Sequence, residues 1–102
     1  MTDMNARIKG KKVLITGASS GIGERIAHLV AEQGAFPILV ARSEHKLKAM
    51  ITAMEQKGYE AVYYVCDIQD AEKWQQVMEQ IIDEQHQIHI VINNAGFGIF
   101  EK

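Results

Sequence analysis

The sequence predicts an α/β fold, a doubly wound parallel sheet with four strands in the order 3-2-1-4. Two observations carry this expectation. Short apolar runs rich in β-branched residues alternate with longer amphipathic stretches, giving the pattern βαβαβαβ. A glycine-rich turn joins the first apolar run to the first amphipathic stretch, so the chain passes directly from strand to helix. Right-handed crossovers between parallel strands then place helices on both faces of the sheet.

The first strand lies in the stretch Lys12 to Gly23, KVLITGASSGIG. Val13, Leu14 and Ile15 form an unbroken apolar run, as in a strand covered on both faces. A helix follows from near Ile22, with Ile22, Ile26, Leu29 and Val30 on one face and Gly34 placed to stop it. The second strand spans about Pro37 to Ala41. Pro37 belongs at its first position, where the missing N–H costs least. Ser43 caps the second helix, Glu44 sits in its first turn, and Gly58 ends it. Leu47, Met50, Ile51 and Met54 recur at i, i+3, i+4 and i+7, an ordinary core stripe. A third strand runs from about Glu60 to Cys66, and Asp67-Ile68 leads into a helix from about Asp70 to Gln85. Trp74, Val77, Met78, Ile81 and Ile82 mark its buried face. The fourth strand, Ile88 to Asn93, opens into Asn93-Asn94-Ala95-Gly96.

The 102 residues suit one small domain, and the 47% hydrophobic content is that of a globular chain. A net charge of −2 gives no reason to expect a nucleic acid or a membrane surface as partner. No stretch approaches the ~20 apolar residues of a membrane span, and the first ten residues lack a signal-peptide core. The single cysteine, Cys66, allows no intrachain disulfide. It reads as a small buried hydrophobe and fits a reducing compartment. These features point to the cytoplasm. Arg7, Lys9, Lys11 and Lys12 read as a solvated lead-in to the first strand. His28, His45, His86 and His89 lack metal-site spacing with Cys66, so no metal ligand is assigned.

Each glycine of the G-x-x-x-G-x-G spacing has a physical role. Gly17 leaves the strand in a conformation costly for a residue with a Cβ. Gly21 removes a side chain where a diphosphate would press on the backbone, and Gly23 lets the helix lie close on the strand. The unpaired N–H groups of the helix's first turn suit an anion. Ala18 fills the gap between the glycines with Ser19 and Ser20, whose hydroxyls can donate to phosphate oxygens. Arg42 follows the second strand, where the adenosine ribose of a dinucleotide would sit. An acidic residue there favours NAD, whereas an arginine pairs with a 2′-phosphate and favours NADP. Ser43 adds a hydroxyl and a backbone N–H. An ordinary surface arginine and a helix-capping Asp67 are the alternatives at those positions.

TGASSGIG, a strand-terminal Asp67 and the later Asn93-Asn94-Ala95-Gly96, in that order, resemble the short-chain dehydrogenase/reductase family over nearly the whole chain, from about Ile8. The resemblance implies a Rossmann-type domain over residues 1–102, incomplete at its C-terminal end. It implies binding of a nicotinamide dinucleotide and hydride transfer to or from a carbonyl or alcohol carbon. Gly17, Ala18, Ser19, Ser20, Gly21, Ile22 and Gly23 would hold the diphosphate. Asp67 would accept from the adenine amino group while the Ile68 N–H meets a ring nitrogen. Asn94, Ala95 and Gly96 would pass close to the cofactor ribose. NADP is expected in preference to NAD.

The family's catalytic tyrosine is followed four residues later by a lysine. Here Tyr59, Tyr63 and Tyr64 are followed at that distance by Tyr63, Asp67 and Ile68. No catalytic residue is therefore assigned, and the chain is expected to be an amino-terminal fragment. A strand as apolar as Ile88 to Ile92 with an unpaired outer edge is an assembly liability, so a homo-oligomer through that edge is expected. The competing readings are a stand-alone nucleotide-binding or redox-sensing module and a methyltransferase-like nucleotide fold. The three-residue gap holding two serines weighs against the latter.

Overall fold

The computed structural model describes residues 7–94. The elements are β1 (Lys12–Thr16), α1 (Gly21–Glu32), β2 (Phe36–Ala41), α2 (Glu44–Gln56), β3 (Val62–Val65), α3 (Ala71–Gln85) and β4 (Ile90–Asn93). All strand pairs are parallel and the order is β3-β2-β1-β4, the doubly wound order that the sequence predicts.

The period-2 geometry of the strands sorts the core into two layers. Val13, Ile15, Leu39 and Ala41 face α1 and α2, where they meet Ala27, Val30, Leu47, Met50 and Met54. Leu14, Ile38 and Val40 point the other way, toward Tyr64, Cys66 and Ile81 of α3. β1 and β2 are thus covered on both faces. That is why they read as continuous apolar runs rather than as alternating ones.

Helix ends follow the residues expected of them. Gly34 and Gly58 take φ of +88° and +86° just beyond α1 and α2. Asp70 caps α3 by accepting from the Lys73 N–H at 3.2 Å. Ser43 is the N-cap residue of α2 by position, but its side chain makes no capping bond. Its hydroxyl lies 3.2 Å from His45 Nδ1 instead.

Several boundaries and faces differ from expectation. Pro37 is the second residue of β2, paired in register with Val13. The position still suits it. Phe36 N–H and the Val40 carbonyl bond toward β1, and the Ala41 carbonyl bonds toward β3. Alternation therefore turns the Pro37 nitrogen toward β3, whose register starts only at Ile38↔Val62. β3 and β4 are four residues each, shorter than expected. As edge strands they have a hydrogen-bonded neighbour on one side only among the described residues.

The sheet-facing stripe of α1 is Gly23, Ala27, Val30 and Ala31, one position round from the expected face. Ile22 and Leu29 are exposed. α1 approaches the turn after β1 so closely at Gly23 that no side chain fits there. On α3, Ile81 is fully buried and Trp74, Val77 and Met78 are half-buried, but Ile82 is exposed. Ile82 lies about 100° round the helix from Ile81, and no described element reaches it. Lys12 is no solvated lead-in either. Its Nζ donates to the Gln85 carbonyl at 2.6 Å, placing a positive charge on the C-terminal end of α3. Its backbone N–H donates to His89 Nδ1 at 2.9 Å, which fixes the entry to β4.

Candidate functional site

The carboxyl ends of β1, β2 and β3 open into one cleft of about 640 Å³. The turn after β1 contributes Gly17, Ser19 and Ser20. Arg42 and Ser43 come from the turn after β2, and Asp67 and Ile68 from the turn after β3. Parallel strands all end on the same side, so the topology brings these turns together although 51 positions separate Gly17 from Ile68.

The turn after β1 is built around one carbonyl. Gly17 adopts φ +64°, a left-handed conformation that costs a residue with a Cβ about 1–2 kcal/mol. Its carbonyl accepts from the Ser20 N–H at 3.2 Å, the Ser20 hydroxyl at 2.9 Å and Asn94 Nδ2 at 3.1 Å. A Cβ on Gly23 would stand 2.2 Å from that same oxygen and 3.0 Å from Asn94 Nδ2. Gly23 therefore serves packing, and the helix could not start here with any other residue in its place. At Gly21 a Cβ would meet nothing within 4 Å. The fold itself does not need that glycine.

The hydroxyl of Ser20 is occupied inside the turn. It donates to Gly17 and accepts from the Gly23 N–H at 3.0 Å and from Asn94 Nδ2 at 3.0 Å. A hydroxyl has one hydrogen to give, so Ser20 acts as the cap of α1 rather than as the second phosphate donor expected of it. Ser19 is the serine whose hydroxyl is left to the cleft. Ala18 is fully buried, and its N–H donates to the Val40 carbonyl at 3.1 Å, pinning the turn to β2. Among the described residues, no hydrogen bond is formed by the backbone N–H groups of Ser19, Gly21 or Ile22. These donors crowd the positive end of the α1 dipole, an arrangement that suits an anion. The Ile22 side chain is 68% exposed and lies outside the lining of the cleft.

The fourth strand closes the turn from below. Thr16 Oγ1 donates to Asn93 Oδ1 at 2.9 Å and accepts from the Asn94 N–H at 3.0 Å. The Asn94 amide then reaches the glycine turn. Asn94 thus ties two strand ends together, and Ala95 and Gly96 lie outside the described residues.

At the far end of the cleft, Asp67 Oδ1 accepts from the Gln69 N–H at 3.0 Å. Asp70, not Asp67, caps α3, so the capping alternative for Asp67 does not hold. A carboxylate offers about four lone-pair sites, and the bond to Gln69 leaves accepting capacity for a ligand. The cleft also takes in Val40, Ala41, Lys46, Cys66 and Gln69, none of which sequence reasoning singled out for it. Lys46 carried a signal: it stands one helical turn beyond Arg42, on the same side of the β2–α2 junction. Cys66 is buried, and desolvation pushes its thiol up, with the Asp67 and Asp70 carboxylates adding to the shift and Lys73 opposing it. It is a wall residue rather than a nucleophile. Among the described residues, no three His, Cys, Asp or Glu side chains gather to hold a metal ion. No helix among them is long and apolar enough to cross a membrane.

Comparison with known proteins agrees with this geometry. The family model described as short chain dehydrogenase matches residues 11–102. A fatty acyl-CoA reductase of Acinetobacter baylyi is 44% identical over 92 residues, covering 90% of this chain and 31% of that protein. An 11-beta-hydroxysteroid dehydrogenase of Pinus massoniana is 37% identical over 99 residues, covering 93% of this chain and 28% of its own length. Among solved structures, L-sorbose reductase from Gluconobacter frateurii, complexed with NADPH and L-sorbose, superposes with a TM-score of 0.80 at 36% identity. It matches 87% of this chain and 34% of its own. A metagenomic short-chain oxidoreductase in complex with NADP gives 0.81 at 30% identity, over 87% of this chain and 40% of that one. The chain therefore spans about a third of the length of these relatives. The family match spans the turns that build the cleft, and the chain belongs to the short-chain dehydrogenase/reductase family, a family of oxidoreductases.

Proposed function

We propose that this chain forms the NADP(H)-binding part of a short-chain oxidoreductase that acts on a carbonyl or hydroxyl group. The observation that carries the reading is the single cleft in which the anion-receiving turn, Arg42 and Asp67 face one ligand-sized space. A dinucleotide laid along it would place its diphosphate on the N–H groups of Ser19, Gly21 and Ile22. The adenosine ribose would lie near Arg42 and Ser43, and the adenine between Asp67 and Ile68. By the family resemblance, Ala95 and Gly96, which lie outside the described residues, would pass close to the cofactor ribose. The chain's own residues would bind and orient NADPH, which when bound would supply the hydride.

The Arg42 guanidinium favours the 2′-phosphorylated cofactor, because a planar fork of donors matches a phosphate's oxygens. The two NADP(H)-bound relatives support that preference. Tyr63 and Tyr64 are not poised for proton transfer. Tyr63 donates to Glu44 at 2.8 Å and Tyr64 to Glu84 at 2.7 Å. Both hydroxyls are shifted up, the Glu44 hydrogen bond being the main cause at Tyr63 and burial at Tyr64. A general acid/base at neutral pH needs the opposite shift.

Titration with NADP⁺ tests the reading. Wild-type chain should bind it, and Gly21→Val should weaken binding by at least about tenfold while leaving the melting temperature unchanged. A Cβ at this position meets no protein atom within 4 Å, and the valine side chain would stand in the space proposed for the diphosphate. Equal affinity in the two proteins would sink the assignment.

A further inference from the structure

Lys46 is a cationic side chain of the cleft that the motif does not account for. It sits in the first turn of α2, four residues beyond Arg42, and lines the same space as Arg42, Ser43 and Ser19. It also lines, with Ser19 and Glu24, the groove that continues between α1 and α2. Lys46 therefore stands where the cleft and this groove meet, beside the serine whose hydroxyl is not occupied within the turn.

The neighbouring acids are directed elsewhere. Glu44 accepts from the Tyr63 hydroxyl at 2.8 Å, lies 4.0 Å from Lys48 and is not part of the cleft wall. Glu24, across the groove, lies 4.0 Å from His28 Nε2 one turn along its own helix. Among the described residues, Lys46 forms no ion pair within 4.0 Å. The part of the cleft walled by Arg42, Lys46 and the Ser19 hydroxyl presents two positive charges and a neutral donor, while the Asp67 carboxylate at the far end of the same cleft accepts from the Gln69 N–H at 3.0 Å. That suits a phosphate monoester dianion better than a phosphodiester or a bare sugar hydroxyl.

We propose that Lys46 is a specificity-determining residue, a second cation that holds the 2′-phosphate of NADP(H) opposite Arg42. The proposal rests on the NADP(H) reading above and deepens it. The two cations divide the work by their chemistry. Arg42 offers a fixed planar fork, whereas Lys46 is a compact charge on a flexible stem that can follow the phosphate.

The test uses the chain with Lys46→Met, which keeps the length of the stem and removes the charge. Affinities are measured by calorimetry for NADP⁺, NAD⁺, adenosine 2′,5′-bisphosphate and adenosine 5′-monophosphate. Lys46→Met should weaken NADP⁺ and the bisphosphate by roughly tenfold, the contribution of one charged hydrogen-bond partner. NAD⁺ and the monophosphate should stay within about twofold, and Lys46→Arg should restore the difference. An equal loss for all four ligands, or no loss for any, overturns the role of Lys46. Wild-type chain that binds NADP⁺ no better than NAD⁺ overturns the NADP(H) reading itself. Wild-type preference for NADP⁺ that survives Lys46→Met overturns this proposal alone.

Discussion

Gly21 and Gly23 stand two positions apart and do unrelated work. A methyl group on Gly23 would drive into the Gly17 carbonyl, the Ala18 backbone and the Asn94 amide, none of which can retreat without opening the turn. Gly23→Ala should cost roughly 3 kcal/mol, as overpacking of a tight site does. In a domain of this size that lowers the melting temperature by more than about 10 °C, measurable by circular dichroism. Gly21→Ala should leave that temperature within about 2 °C, because its Cβ meets open space and alanine favours the helix. The spacing made all three glycines legible as one motif. What the spacing could not tell is which glycine the fold needs and which it does not, since that depends on atoms far away in sequence. Ser20 shows the same limit. Its position between glycines suggests a phosphate donor, yet Asn94 and the Gly17 carbonyl already occupy its hydroxyl.

At the level of elements, the contact between β3 and α3 carries a pH dependence. The Tyr64 hydroxyl donates to Glu84 and accepts from Gln85 Nε2 at 3.0 Å, and Gln80 supports Glu84 at 3.2 Å. The Tyr64 hydrogen bond is the main cause that holds the Glu84 carboxyl below its ordinary value. A lowered folded value means that the unfolded chain binds the proton more readily. The contribution is therefore present above the ordinary glutamate range and is lost as pH falls through the folded value. Denaturant midpoints of wild type and Glu84→Gln should differ at pH 6–7 and converge toward pH 3. A difference that stays constant across that range would exclude the mechanism. The strands and their order were legible because burial on both faces leaves an unbroken apolar run. The helix faces were less so. α1 rests on Gly23, Ala27 and Ala31, and a stripe of small residues carries little hydrophobic signal next to Ile22 and Leu29. Lys12 was misread for a related reason: nothing near it in sequence reveals that the end of α3 arrives 73 positions later to receive its charge.

For the whole molecule, the apolar surface is unevenly covered. β4 pairs with β1 on one side only among the described residues, and its Val91 side chain is 57% exposed. Ile82 on α3 is 46% exposed. An unpaired parallel strand with an apolar face invites another strand to its edge. We therefore expect the isolated chain to self-associate, with a sedimentation coefficient that rises with concentration. Val91→Lys should suppress the rise, since charge on an edge blocks further pairing. A monomer unchanged up to high concentration would remove the expectation.

The bonds from Asn94 to the Gly17 carbonyl and the Ser20 hydroxyl span 77 and 74 positions of sequence. The glycine turn after β1 is therefore finished by a residue 77 positions later in sequence. During synthesis, the emerging polypeptide would have its nest of amides unbraced until that asparagine cleared the ribosome, however early the first hairpin of strand and helix collapsed. If the turn binds a nucleotide as proposed, binding would report that the two ends of this segment have met, and cofactor would favour chains in which that long loop has closed.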